Sequence, residues 1–232
     1  MATFTGTSAS ETFAQSFLSG TVTADPSGAL PGDDGDTYSP GGGDDTVHGG
    51  LGGDLIDERD AGADGADFLS GGGGSDTIHG GGDDDSLHGG DDSDYLDGGD
   101  GEDFLSGDDG DDYLAGGLGL DSMYGGAGAD TFEFDLGLRA GHAPGGRVLV
   151  NGGSGRDMLR LSAEFGDDIR VVVDLRKGLV TTADEKWKLV SIENVEGSDG
   201  ARIYGSDARN EIFTIAVAVS AIRRSRGGAP PA

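Results

Sequence analysis

Eleven aspartates at a nearly constant spacing are the side chains of this chain best placed to do chemistry: Asp36, Asp45, Asp54, Asp67, Asp76, Asp85, Asp94, Asp103, Asp112, Asp121 and Asp130. Each step is nine residues except the one from Asp54 to Asp67, where four extra residues, 58–61, intervene. Two residues beyond each aspartate stands a large apolar or aromatic side chain: Tyr38, Val47, Ile56, Leu69, Ile78, Leu87, Leu96, Leu105, Leu114, Met123 and Phe132. Paired carboxylates can serve acid–base catalysis or hold a cation. A catalytic pair is needed once, whereas a carboxylate repeated along a chain argues for a periodic structural job, and no separate pocket-forming segment accompanies it.

The elements that position these aspartates follow from the rest of the phrase. Its copies begin at Pro31, Pro40, Gly49, Gly62, Gly71, Gly80, Gly89, Gly98, Gly107, Gly116 and Gly125 and read GGxGxDxUx, with U large and apolar. Glycine at positions one, two and four predicts backbone conformations that a Cβ opposes. The expectation is a tight turn over six residues and a short strand over the other three, whose central apolar residue points inward. One such strand cannot bury its side chain alone. Two phrases per coil, stacked so that phrase n lies beside phrase n+2 in parallel, bury a continuous core.

That stacking sets the position-six carboxylates about 4.8 Å apart in two rows of turns. Bare carboxylates so close repel one another. A hard cation with oxygen ligands reverses the sign, and calcium accepts six to eight oxygens in flexible geometry. Glycine carbonyls can complete its shell because no side chain keeps them away.

These residues resemble the RTX (repeats-in-toxin, hemolysin-type) proteins, whose nonapeptide is an established signature of calcium-binding β-helices. The resemblance implies a parallel β-roll, the eleven aspartates as calcium ligands, and secretion to the extracellular space through a type I exporter. It covers 31–133 strongly and the flanks weakly. Departures are Pro31 and Pro40 at position one, Ala63 and Asp108 at position two, and Asp34, Asp83 and Asp92 at position four. Aspartate tolerates the left-handed region better than most residues.

Composition narrows the function. With 44 acidic against 15 basic residues, the net charge of −29 argues against nucleic acid or an anionic membrane as partner and favours cations. Without calcium such a chain is expected to be disordered. There are no cysteines, so neither disulfides nor thiolate metal sites are available. The start, MATFTGTSAS, has no basic or apolar secretory region. No apolar run is long enough for a membrane span.

The fold class expected is all-β, a calcium-stabilised parallel β-roll with a β-rich C-terminal capping region. Its parts are an N-terminal cap strand and loop (1–30), the roll (31–133), the cap with degenerate repeats (134–213) and a tail (214–232). In the first part Phe13 marks a degenerate phrase. After Glu133 the register is expected to lapse, leaving one isolated perfect phrase whose Asp157 has no in-register partner. Alternating strands follow over 169–175, 179–182, 187–190 and 192–195, then degenerate repeats at 196–204 and 205–213, with Ala201 and Asn210 in place of aspartate. The tail reads either as a C-terminal export signal or as a non-homologous end from a shifted frame.

No HExxH helix, GxSxG elbow or EF-hand loop occurs in the sequence, so no enzyme activity is expected. His48, His79 and His88 at position nine are expected to be solvated. Tyr95 and Tyr113 fall on one face, Phe68 and Phe104 on the other. These aromatics read as ordinary strand residues or as a strip that stacks on sugar rings. Two functions stand: a secreted calcium-binding protein with a structural, adhesive or interaction role, or a calcium-folded accessory module of a secreted polysaccharide-active enzyme or protease. Extracellular polysaccharide is the partner the second implies.

Overall fold

Each nine-residue phrase folds as half of one coil. The structure, a computed structural model, describes residues 3–5, 12–13, 35–59, 65–135, 149–162, 172–174, 179–181, 186–197, 202–204 and 212–214. In chain order the strands are β1 (Thr3–Thr5), β2 (Thr12–Phe13), β3 (Thr37–Ser39), β4 (Thr46–Leu51), β5 (Leu55–Asp57), β6 (Phe68–Gly73) and β7 (Thr77–Gly82). There follow β8 (Ser86–Asp91), β9 (Tyr95–Asp100), β10 (Phe104–Asp109), β11 (Tyr113–Leu118), β12 (Ser122–Ala127), β13 (Thr131–Asp135) and β14 (Leu149–Ser154). The last are β15 (Met158–Ser162), β16 (Val172–Asp174), β17 (Leu179–Thr181), β18 (Lys186–Val190), β19 (Asn194–Gly197), β20 (Arg202–Tyr204) and β21 (Ile212–Thr214).

Odd strands from β1 to β15, then β19 and β21, form one ten-stranded parallel sheet. Even strands from β2 to β14 continue through β18, β17, β16 and β20 into an eleven-stranded sheet facing it. Phrase n therefore lies beside phrase n+2, as in Leu87 against Leu105 and Leu96 against Leu114. This is the expected parallel β-roll.

Between the sheets run two rows of single apolar side chains. Every position-eight residue from Tyr38 to Phe132 is fully buried, and Val150, Leu159 and Val195 extend the rows. Burying one such aliphatic side chain is worth roughly 1.5–3 kcal/mol. Each coil buries only two, so a coil gains stability chiefly from its neighbours.

The strands are longer than expected. The sequence predicts three residues of strand and six of turn, but most strands from β3 to β13 run six, through positions seven to nine and on through one to three of the next phrase. The reason is that position two also pairs across coils, as Gly72 does with Gly50 and Gly90, in a left-handed conformation with φ of 112° at Gly72. A Cβ there would strike the Gly50 carbonyl. Asp83, Asp92 and Asp108, the aspartates in glycine slots, adopt φ of 68°, 75° and 72°, the tolerance expected of them.

The register does not lapse at Glu133. Strand β14 pairs with β12 and β15 with β13, residue for residue, so the isolated phrase belongs to the ladder. Beyond it, β16, β17 and β18 pair antiparallel, and β18 joins the roll by lying parallel to β14. Strand β2, carrying Phe13, pairs with β4 as the first phrase of its sheet. Pro31, Asp34 and Ala63, most of the loop before β3 and the tail after Thr214 lie outside the described residues.

Candidate metal centre

The turns leading into odd strands form a first row and those leading into even strands a second. Each row holds its aspartates by a repeated bond. Along the first, the amide of Asp36 donates to Asp54 Oδ1 (2.6 Å), Asp54 to Asp76 (2.7 Å), Asp76 to Asp94 (2.7 Å), Asp94 to Asp112 (2.9 Å) and Asp112 to Asp130 (3.0 Å). Along the second, Asp45 donates to Asp67 (2.7 Å), Asp67 to Asp85 (2.9 Å), Asp85 to Asp103 (2.9 Å) and Asp103 to Asp121 (3.2 Å). All eleven predicted aspartates are thus brought into two ladders, and all are buried.

The bond uses one carboxylate oxygen and leaves the other. Oδ2 of Asp45, Asp54, Asp76, Asp85, Asp94, Asp103, Asp112, Asp121, Asp130 and Asp157 is buried without a hydrogen-bond partner. An orphaned carboxylate oxygen in a dry site costs several kcal/mol unless a cation or a proton meets it. All but that of Asp45, whose phrase opens with Pro40, point at the glycine opening their own phrase. A Cβ at Gly80 would strike Asp85 Oδ2 and, 2.6 Å away, the carbonyl of Gly98 in the next coil. The same cradle recurs at Gly89, Gly98, Gly107 and Gly125. Glycine is needed there for space, and the space is lined by oxygen.

Electrostatics agree. At eight of these aspartates burial pushes the carboxyl up, the donated amide pulls it partly back, and neighbouring carboxylates raise it again. Asp54 and Asp112 reach about 6, Asp67, Asp76, Asp94, Asp103 and Asp130 about 7, and Asp85 about 8. Among the described residues no three His, Cys, Asp or Glu side chains gather on one point, so backbone carbonyls or water must complete any ion's shell. A donor set of carboxylate and carbonyl oxygen, without sulfur or imidazole, fits a hard divalent cation such as calcium.

Two acids of this system escaped the sequence reading. Asp157, expected to stand alone, accepts from the Asp130 amide (3.1 Å) and is wholly buried; β14 and β15 pair with β12 and β13 in register although more chain than one turn separates β13 from β14. Glu58, read as part of a spacer, turns inward at 1% exposure. Its Oε2 accepts from the Gly41 amide (3.2 Å) and its Oε1 is buried without a partner. Burial first, then Asp67, Asp45 and Asp85, push its carboxyl up to about 9 against the pull of the Gly41 amide. The available signal was a glutamate standing where the phrase puts its first glycine.

The histidines divide. His48 is exposed and His88 partly so, but His79 is only 6% exposed, with Nδ1 3.4 Å from Asp97 Oδ2, because the Tyr95 ring of the adjoining coil packs against it at 5.6 Å. Tyr95 stacks on Tyr113 at 5.1 Å. On the opposite sheet His48, Phe68, His88, Phe104 and Tyr124 form a ladder of rings with centroids 5.2–5.7 Å apart.

Residues 61–96, 88–122 and 97–132 match the family model described as RTX calcium-binding nonapeptide repeat (4 copies). The matches together span 61–132 and leave both flanks outside. No curated protein matches the chain.

Proposed function

We propose, from a segment 61–132 made of RTX calcium-binding nonapeptide repeats, that this chain is a secreted protein whose β-roll folds when it meets calcium outside the cell. In this reading it acts by binding rather than by catalysis, in a structural, adhesive or interaction role. The observation that carries it is the ladder of ten buried Oδ2 atoms without partners, most of them against a glycine cradle. A bound calcium ion supplies the positive charge that these carboxylates lack. The chain's own part is to hold each carboxylate by the amide of the coil before and to bring a carbonyl to it from the coil after.

The net charge of −29 keeps the calcium-free chain extended, a form suited to passage through a type I exporter. Extracellular-type calcium sites bind at about 10⁻⁴ to 10⁻³ M, so the chain stays unfolded in the cytosol and folds outside. The direct test is far-UV circular dichroism during calcium titration. Disordered chain should convert to β-structure in that range, and magnesium, which is smaller and releases water reluctantly, should not replace calcium. An unchanged spectrum at 10⁻² M calcium would overturn the reading.

The ring ladder from His48 to Tyr124 favours a second reading, an accessory module that holds extracellular polysaccharide for an enzyme. Phe68 and Phe104 are each 38% exposed and present ring surface on one sheet. Affinity electrophoresis in polysaccharide gels with calcium would decide it: retardation lost in Phe68→Ala and Phe104→Ala supports it, and unretarded wild-type protein removes it.

A further inference from the structure

We propose that the cation ladder runs one coil past the repeats and ends on a glutamate, so that calcium held by Asp157, Glu193 and the Ser191 carbonyl ties the C-terminal strands to the roll. The inference rests on the calcium reading above and adds to it a site completed by Glu193 and Ser191, which lie outside any nonapeptide.

The first support is the bond that defines the ladder. Asp130 donates its amide to Asp157 Oδ1 at 3.1 Å, and Asp157 in turn donates its amide to Glu193 Oε2 at 3.0 Å. Register says the same. Met158 pairs with Asn194 and Leu159 with Val195, which puts Glu193 opposite Asp157 at position six. The Asn194 amide donates to the Asp157 carbonyl at 2.9 Å, the bond that Met158 makes to Asp130 at 2.7 Å.

The second support is the cradle. Oδ2 of Asp157 is buried without a partner, and the residue is 0% exposed. The point a Cβ on Gly152 would take is lined by that oxygen and by the Ser191 carbonyl. One coil earlier, the point at Gly125 is lined by Asp130 Oδ2 and the Gly152 carbonyl. The Ser191 carbonyl thus takes the place of a position-one glycine's, although its own backbone is left-handed at φ 52°, a conformation the repeats keep for positions two and four.

The third support is length. In a repeat, six residues separate position nine from the next position seven; between Val190 and Asn194, which hold those places, there are three. The short turn still brings the Ser191 carbonyl to the cradle, and glutamate, one methylene longer than aspartate, still reaches the Asp157 amide with Oε2.

The test is native mass spectrometry of the calcium-loaded full chain, with hydrogen exchange over 186–197. Glu193→Gln is isosteric and keeps an oxygen for the Asp157 amide, so a hydrogen-bonding role alone predicts no change. A ligand role predicts one calcium ion fewer and loss of calcium-dependent protection in 186–197. Glu196→Gln, which breaks the 3.0 Å pair with Arg160 on the same strand, should keep the full ion count. Full count and full protection in Glu193→Gln, with calcium still folding the repeats, overturns this site and leaves the general reading intact. A wild-type chain that binds no calcium overturns both.

Discussion

The two rows of turns share their chemistry in the middle of the roll and differ toward its ends. The first row runs from Asp36 through Asp157 to Glu193 with a carboxylate at every coil. Between β4 and β19 none of its turns carries extra residues. The second row holds Asp45 to Asp121 and takes every insertion in that span: 58–61, the stretch from β13 to β14, and the excursion through β16 and β17. The ladder survives changes of length in both rows: the Asp45–Asp67 bond spans the four extra residues 58–61, and the Asp157–Glu193 bond follows a turn shortened to 191–193. What differs is the sign of the change, since between β4 and β19 chain is added at the second row alone.

The largest effects should come from the middle, where the rows are alike. Asp112→Ala in the first row and Asp103→Ala in the second each remove an orphaned oxygen and an amide acceptor, and should raise the calcium midpoint at least tenfold, an order-of-magnitude figure for damaged metal sites. Gly107→Ala, whose Cβ would fill the place of Asp112 Oδ2, should do the same without removing any charge. Circular dichroism against calcium checks all three. A first-row variant that matters while its second-row counterpart does not would make the rows unequal throughout.

Next in size is the response to acid without calcium. Eight buried aspartates, Asp54, Asp67, Asp76, Asp85, Asp94, Asp103, Asp112 and Asp130, titrate higher in the roll, at about 6 to about 8, than in an unfolded chain. Groups raised by folding stabilise the fold while protonated. That contribution is whole below the ordinary carboxylate range near 4 and is lost as pH rises through about 8. In a chelator the chain should therefore gain β-structure on acidification to about pH 4 and lose it by about pH 8. With calcium present the direction reverses, since protons compete with the ion. Loss of β-structure on acidification in chelator would contradict the burial of the ladder.

The sequence exposed the rows through two positions, the aspartate and the apolar residue, because each does a single job in every coil. It hid Asp157 and Glu193 because strand pairing ignores how much chain is looped out between partners, while a reading by period does not. It hid Glu58 for the opposite reason: a residue that interrupts the period looks like spacer until burial shows it facing Asp67. The strand length was missed because glycine reads as turn, although Gly72 and Gly90 pair as strand.

A middling effect tests the far end. Removing 161–213 keeps every repeat aspartate but takes away Glu193 and the strands over the open edges of β14 and β15. Repeat arrays lose stability when a terminal unit is left uncovered, so the calcium midpoint should rise a few-fold. An unchanged midpoint would mean that these strands do not cap the roll.

The smallest effect should come from Glu58, the one described residue of the second row's first insertion that is drawn into the ladder. Glu58→Gln removes a charge among Asp67, Asp45 and Asp85 while keeping an acceptor for the Gly41 amide. With calcium, one coil loses part of its attraction for the ion, and the midpoint should rise less than about threefold, the scale of a single weakened contact. Without calcium the sign is opposite. Glutamine imitates the protonated acid at every pH, so the destabilisation that builds as pH rises from the ordinary carboxylate range toward about 9, where Glu58 is charged only in the unfolded chain, should vanish and the calcium-free roll should persist to higher pH. Opposite shifts in the two conditions would place Glu58 inside the second row's electrostatics. No shift in either would make 58–61 an inert loop, and the second row would then differ from the first only in the length of its turns.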